Sequence, residues 1–223
     1  MFTGIVQGIA PIIEIRRAPD LLTLTIRLPS PQPPISIGAS ISLNGVCLTV
    51  VAFKDLDITF NVIQQTLSVT NLSEISVGTV VNFERAATLG SEIGGHQVSG
   101  HIDGTGTVRK ILKAGDDVRF FFEVRPELTQ YIFAKGYVAI NGASLTVVDV
   151  DHAQFSIALI PETLQKTTFG TLREGSIVNI EVDRTTQAFV ETVKRLLPEL
   201  IKKLGSENFA QLAKPLALTD NVD

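Results

Sequence analysis

Imidazole and thiol groups are scarce in this 223-residue sequence, which holds three histidines (His96, His101, His152) and one cysteine, Cys47. None of the common catalytic arrangements surrounds them: there is no GxSxG, P-loop, HExxH or CxxC pattern. A zinc site needs three or four ligands, and His152 and Cys47 are the only additions to the neighbouring pair His96 and His101, so no metal is expected. That pair lies in Gly94-Gly-His-Gln-Val-Ser-Gly-His-Ile-Asp-Gly-Thr-Gly106. Glycines there let backbone approach a flat ligand closely. Histidine titrates near neutrality, so His101 reads either as an acid–base or substrate-binding group or as a hydrogen-bonded surface residue. His96 reads as structural. Cys47 is either a small apolar filler or one member of a polar set.

The setting of these residues is a duplication. Asn44-Gly-Val-Cys-Leu-Thr-Val50 recurs 97 residues later as Asn141-Gly-Ala-Ser-Leu-Thr-Val147, with five of seven positions identical. The same offset pairs Thr66-Leu67 with Thr163-Leu164, Thr70 with Thr167, Gly78 with Gly175, Val81-Asn82 with Val178-Asn179, and Glu84 with Glu181. One residue out of that register, Phe2-Thr-Gly-Ile-Val6 matches Val98-Ser-Gly-His-Ile102. Two copies, about 1–90 and 91–186, therefore precede a C-terminal segment. Chemistry-bearing positions break the symmetry: Ile5 against His101, Cys47 against Ser144, Gln65 against Glu162, Gly38 against Lys135, and Ala86 against Asp183. Residues two apart on a strand share a face, so Cys47 with Thr49, and Ser144 with Thr146, present two polar side chains each to one surface. Thr66 and Thr163 are read as closing the next strand. Glu162 is either a carboxylate that reads ring N–H groups or a solvated charge, and Lys135 and Asp183 carry the same alternative.

Each copy reads as short strands rich in Val, Ile, Thr and Phe: Leu22–Leu28, Ser40–Val51, Asp57–Ile63 and Thr79–Glu84, then Val118–Val124, Tyr137–Val150, Gln154–Ile160 and Ile177–Val182. Closure of so many short strands removes exposed edges, which implies an all-β barrel or sandwich per copy. Thr185–Leu204 differs. Phe189, Val193, Leu196 and Leu200 follow helical spacing, and Pro198 is expected to kink the helix or end its first segment. The apolar stripe calls for self-association or for packing on its own barrel. Residues after Gly205 read as a partly ordered end. Net charge of −4 without an arginine–lysine block argues against nucleic acid. No run approaches the length of a membrane span, the first residues do not read as a signal peptide, and a lone cysteine fits a reducing cytosol.

Met1-Phe-Thr-Gly-Ile-Val6, Asn44-Gly-Val-Cys-Leu-Thr-Val50, Gly94-Gly-His-Gln-Val-Ser-Gly-His-Ile102, Asn141-Gly-Ala-Ser-Leu-Thr-Val147 and Ile160-Pro-Glu-Thr-Leu164 together resemble the riboflavin synthase family, alpha-chain type, over Met1 to about Leu197. The resemblance implies two tandem six-stranded Greek-key barrels, 1–90 and 91–186, each binding a lumazine. It further implies a trimerisation helix over 187–204, a tail over 205–223, and a site between barrels of different subunits in a cytoplasmic homotrimer. The implied reaction is a transferase dismutation of 6,7-dimethyl-8-ribityllumazine into riboflavin and 5-amino-6-(D-ribitylamino)uracil, the last step of riboflavin biosynthesis, with no cofactor. Docking with lumazine synthase is left open.

Carried over by motif, one pocket is lined by Gly4, Ile5 and Val6, by Cys47, Leu48 and Thr49, and by Asn61, Val62, Ile63, Gln64, Gln65 and Thr66. The other is lined by Gly100, His101 and Ile102, by Lys135, by Ser144, Leu145 and Thr146, and by Ala158, Leu159, Ile160, Pro161, Glu162 and Thr163. Candidates for moving the proton and adding the nucleophile are His101, Cys47, Ser144, Thr146 and Asp183. Phe2 is expected beside the ring, with Ser40 assisting. Gln64-Gln65 departs from the basic–acidic pair expected there, and the loss of a carboxylate is expected to weaken ligand binding in the first barrel; Val46 replaces what is often a second cysteine. The rival readings are a lumazine- or flavin-binding antenna protein of luminous bacteria and, more distantly, a flavin-binding reductase module.

Overall fold

Alternating apolar positions and Asn-Gly turns build the first half of the chain. In the computed structural model, which describes residues 1–31, 33–115 and 117–204, six strands form the first barrel. They are β1 (Gly8–Ala18), β2 (Leu21–Arg27), β3 (Ser40–Leu43), β4 (Val46–Lys54), β5 (Asp57–Ile63) and β6 (Val80–Arg85), closed in the order β1-β2-β5-β4-β3-β6. The second barrel has β7 (Gly104–Ala114), β8 (Asp117–Val124), β9 (Tyr137–Ile140), β10 (Ala143–Asp151), β11 (Gln154–Leu159) and β12 (Ile177–Val182), and closes by the same circuit six strands on. All neighbouring strands are antiparallel. Strands β3, β4 and β5 follow one another through tight turns, and β2 lies beside β5 across a long connection, which is a Greek key. The tail expected over 205–223 lies outside the described residues.

Strand residues alternate between core and surface, so each barrel fills itself. Leu24, Ile26, Ile58 and Phe60 are buried in the first, and Phe120, Phe122, Phe155 and Ile157 in the second. Register shifts recur in both copies, at Ile12/Glu14 and Val50/Ala52, then at Val108/Lys110 and Val147/Asp149. Such bulges bend strands enough to close a small barrel. The runs expected as single strands over 40–51 and 137–150 are each divided by an Asn-Gly turn. Asn44 and Gly45 have φ of 45° and 83°, and Asn141 and Gly142 have 45° and 82°, the left-handed pair that a two-residue hairpin needs.

Those two hairpin tips meet. A Cβ on Gly45 would lie 2.8 Å from the Gly142 nitrogen, and one on Gly142 would lie 2.8 Å from that of Gly45. Around them four asparagines make reciprocal bonds between the barrels. Asn82 Nδ2 donates to the Asn141 carbonyl, and Asn179 Nδ2 donates to the Asn44 carbonyl, both at 2.8 Å. Asn82 Oδ1 accepts from the Thr168 N–H, and Asn179 Oδ1 accepts from the Asn71 N–H, both at 2.7 Å. The matched contacts relate the barrels by an approximate two-fold axis.

Two six-residue helices, α1 (Gln64–Val69) and α3 (Pro161–Lys166), follow β5 and β11, with the four-residue α2 (Pro126–Thr129) between β8 and β9. Thr66 and Thr163 thus sit in helical turns, where strand ends were expected. A fourth helix, α4 (Arg184–Leu204), is a separate compact unit. Pro198 lies inside it and does not end it. Proline costs a helix the bond to the carbonyl four residues back, while its fixed φ is itself helical. Phe189, Val193, Leu196, Leu197 and Leu200 are all exposed on this helix. No helix among the described residues is long and apolar enough to cross a membrane.

Candidate active site

The strand period of two decides which side chains the barrels offer to a ligand. On β4, Val46, Leu48 and Val50 are buried while Cys47 and Thr49 turn outward. On β10, Ala143, Leu145 and Val147 are buried while Ser144 and Thr146 turn outward. The neighbouring strand adds Ser40 opposite Thr49 and, at the equivalent place, Tyr137 opposite Thr146.

The segments that lead into the barrels complete these faces, and they do so crosswise. Phe2 and Val98 form an antiparallel bridge, with N–H···O distances of 2.7 and 3.0 Å. Beyond it each segment runs to the other copy's barrel. The Gly4 carbonyl accepts from the Ser144 N–H at 2.8 Å, and the Gly100 carbonyl accepts from the Cys47 N–H at 2.9 Å. Val6 packs on the second core and Ile102 on the first. The pockets expected from the motifs are therefore regrouped. Gly4, Ile5 and Val6 belong with Ser144 and Glu162, and Gly100, His101 and Ile102 belong with Cys47. Aligning the repeats shows which positions correspond but not which barrel satisfies a lead-in's backbone groups.

Glycine is required at both crossings. At Gly4 (φ 73°) a Cβ would lie 2.5 Å from that of Ser144, and at Gly100 (φ 83°) it would lie 2.5 Å from that of Cys47. A buried carboxylate fixes each turn. Glu84 accepts from the Thr3 N–H, the Thr3 hydroxyl and the Gly4 N–H at 2.6, 2.8 and 3.1 Å. Glu181 does the same for Ser99 and Gly100 at 2.7, 2.7 and 3.0 Å. Burial pushes the Glu84 carboxyl up from its ordinary value, against the opposing pull of these hydrogen bonds and of the chain's ammonium. The pairing of Glu84 with Glu181 was visible in the repeat register, but this role was not.

A cavity of about 370 Å³ lies beside the second barrel. Gly4 to Gln7 form one wall, Ala143 to Leu145 another, and Glu162, Thr163, Lys166 and Thr167 of α3 and its end form the third. Ile5 is exposed there as apolar surface. Other expected lining residues are placed differently. Val62 and Leu159 point into the barrel cores, because they occupy the inward phase of β5 and β11. Leu48 is buried in the same way on β4. Asn61 is on the outer wall, its Oδ1 accepting from the Thr23 hydroxyl at 2.9 Å. Ile63, Gln64 and Gln65 are exposed where α1 begins, and Thr66 is half-buried. Thr146, Ala158, Ile160, Pro161 and Lys135 are exposed and do not line this cavity. Phe2, expected beside a ligand ring, is instead 1% exposed and packed with Val98, Ala139, Cys47 and Ala86. Its ring fills the join that the Phe2–Val98 bridge creates.

His96, read as structural from the sequence, is the imidazole that touches a candidate hydroxyl. Its Nδ1 lies 2.6 Å from Ser144 Oγ, and its ring stacks with Tyr137 at 5.3 Å between centroids. Burial pulls the imidazole's pKa below 6.5, and the charge of Asp183 works in the opposite direction. A histidine held neutral can take a proton from a hydroxyl or from a carbon acid reached through it. His101 is exposed, with its backbone N–H bonded to Ser99 Oγ at 3.2 Å. The short run from Gly95 to His101 thus serves both barrels, one histidine on either side of the bridge. Among the described residues no group of three His, Cys, Asp or Glu is placed to hold a metal ion.

The lumazine binding domain family matches the chain twice, over residues 3–86 and 99–183. Riboflavin synthase of Escherichia coli (strain K12) is 45% identical over 199 residues, 88% of this chain and 93% of that protein. The chain belongs to the riboflavin synthase family. Riboflavin synthase of Chlamydia pneumoniae is 43% identical over 198 residues, covering 88% and 97% of the two chains. Among solved structures, LumP complexed with riboflavin superposes with a TM-score of 0.75 at 28% identity, over 82% of this chain and all of LumP. LumP complexed with 6,7-dimethyl-8-(1'-D-ribityl) lumazine gives 0.73 at 27% identity. The two family matches leave out residues 87–98, the segment that carries His96.

Proposed function

We propose that the chain is a riboflavin synthase, dismuting two 6,7-dimethyl-8-ribityllumazine molecules into riboflavin and 5-amino-6-(D-ribitylamino)uracil without a cofactor. The observation that carries this reading is a pair of similar but unequal sites, each completed by the other copy's lead-in segment. A dismutation needs two identical molecules in different roles, and duplicated faces bearing Cys47 in one and Ser144 with His96 in the other supply both likeness and difference. The family membership points the same way.

In this reading the glycine backbones at Gly4 and Gly100 lie against flat rings, with Ile5 and Val6 on one side and His101 and Ile102 on the other. Glu162, Thr163 and Lys135 reach polar edges. Ser144, Thr146 and Asp183, together with Cys47 and Ser40, serve the proton and nucleophile steps. Orientation of the two rings contributes more than any one side chain. Substitution of Cys47 or Ser144 alone therefore weakens turnover without abolishing it. Residues 1–90 and 91–186 act as the two ligand-binding units, and 187–204 assembles a homotrimer through the exposed stripe from Phe189 to Leu200. A single free cysteine fits a cytoplasmic setting, and lumazine synthase is a candidate partner.

The deciding experiment mixes purified protein with 6,7-dimethyl-8-ribityllumazine alone and follows both spectra. Two lumazines lost per riboflavin formed establish the reaction. The second reading, a lumazine- or flavin-binding protein without turnover, is favoured by the likeness to LumP. It predicts a spectral shift on binding and no riboflavin.

A further inference from the structure

The outer faces of the two barrels differ at one more matched place. Tyr137 stands where the first copy has Ser40, each at the start of the strand that flanks the polar pair. Tyr137 shares the outward face of Thr146 and Ser144, and it is 49% exposed although it stacks on a buried imidazole. His96 is held between this ring and Ser144. One edge meets the serine hydroxyl at 2.6 Å and one face meets the tyrosine, with the ring planes 16° from parallel. A ring with one hydrogen bond can still turn about that bond. A stacked neighbour removes that freedom and covers the face from water.

We propose that Tyr137 is a positioning residue for the second barrel's site: its ring fixes the plane of His96 so that Nδ1 faces Ser144, and it keeps water from the imidazole. This rests on the acid–base use of that site proposed above. It also says why the faces are unequal in kind, since Ser40 offers no ring at the matched place. The charged group that acts on His96 is Asp183, after β12; Ser144 on β10 is its hydrogen-bond partner, and the ring of Tyr137 on β9 covers one face. The action of Tyr137 is through its ring face, so its hydroxyl is dispensable.

The test is an NMR titration of the His96 imidazole C–H in the full-length, ligand-free protein, assigned with His96→Asn. It compares wild type with Tyr137→Phe, Tyr137→Leu and Tyr137→Ala. Tyr137→Phe keeps the wild-type midpoint. Tyr137→Leu and Tyr137→Ala raise it by about half a unit or more, because the imidazole regains water. Where lumazine turnover is measured, the acid limb of kcat moves with the titration midpoint in Tyr137→Leu and stays in Tyr137→Phe. Unmoved midpoints in the Leu and Ala variants, with thermal unfolding showing both folded, overturn the proposal. So does a Phe variant that behaves like Ala. The titration needs no substrate. A protein that titrates as described yet makes no riboflavin refutes the enzymatic reading and leaves the role of Tyr137 in holding His96 standing.

Discussion

Asn82→Ala isolates what joins the two barrels. The Asn82 side chain is 1% exposed and both of its bonds go to the second barrel, to the Asn141 carbonyl at 2.8 Å and from the Thr168 N–H at 2.7 Å. Asn141 and Thr168 are themselves buried, so truncation strands one acceptor and one donor. Each orphaned buried group costs about 1–3 kcal/mol, giving roughly 2–6 kcal/mol in all. The Asn82 backbone N–H keeps its bond to Asn44 Oδ1 at 2.9 Å, so the first barrel itself is spared. The sequence has no tryptophan, so urea unfolding is best followed by circular dichroism. The expected result is a lowered midpoint and a transition that broadens or divides as the barrels begin to unfold separately. Asn179→Ala, whose side chain bonds Asn44 and Asn71 in the first barrel, should match it. A loss below about 1 kcal/mol in both variants, with an unchanged slope, would refute the idea that these amides hold the barrels together.

Gly4→Ala drives a methyl to within 2.5 Å of Ser144 Cβ at a left-handed backbone position, so it should lower thermal stability by about 1–3 kcal/mol. Ile5→Ala, which leaves that turn intact, should not. Because Glu84 has a raised pKa when folded, its contribution is full below about 4.5 and is lost as pH rises through the raised value. Glu84→Gln should flatten stability against pH in that window, even though it weakens the Thr3–Gly4 turn. A slope unchanged in that variant assigns the effect to other groups. Leu196→Lys with Leu200→Lys puts charges on the exposed stripe of α4, and sedimentation should then show a smaller species than wild type. An unchanged mass would remove that stripe from the assembly interface.

The duplication and most strands were legible because period-two alternation and Asn-Gly turns are local signals. β1 and β7 were not among the expected strands, since Gly8, Pro11, Gly104 and Gly106 weaken a strand pattern. Both strands bend from one partner to another, β1 from β6 to β2, and small residues suit that change of direction. The turn from β5 into α1 was read as more strand because six residues are too few to show a helical period. The outward polar pairs Cys47/Thr49 and Ser144/Thr146 followed directly from alternation. What local pattern could not carry was the crossing at Phe2 and Val98, the burial of Phe2, and the meeting of His96 with Ser144. Each depends on contacts between residues far apart in sequence, and none leaves a periodic trace.

The crossing has a consequence for how the two repeats could diverge. His101 is encoded by the second repeat but stands on the Cys47 side, while Ile5, encoded by the first, lines the cavity of Ser144. Each outward polar face is therefore completed by a segment from the other half of the gene. Selection acting on one pocket must edit both repeats, and a change in either lead-in alters the pocket of its sister. After duplication, neither half was free to become a private site. The repeats have been inherited as joint owners of these two faces, and either one, copied alone into another protein, would arrive with its sister's lead-in missing.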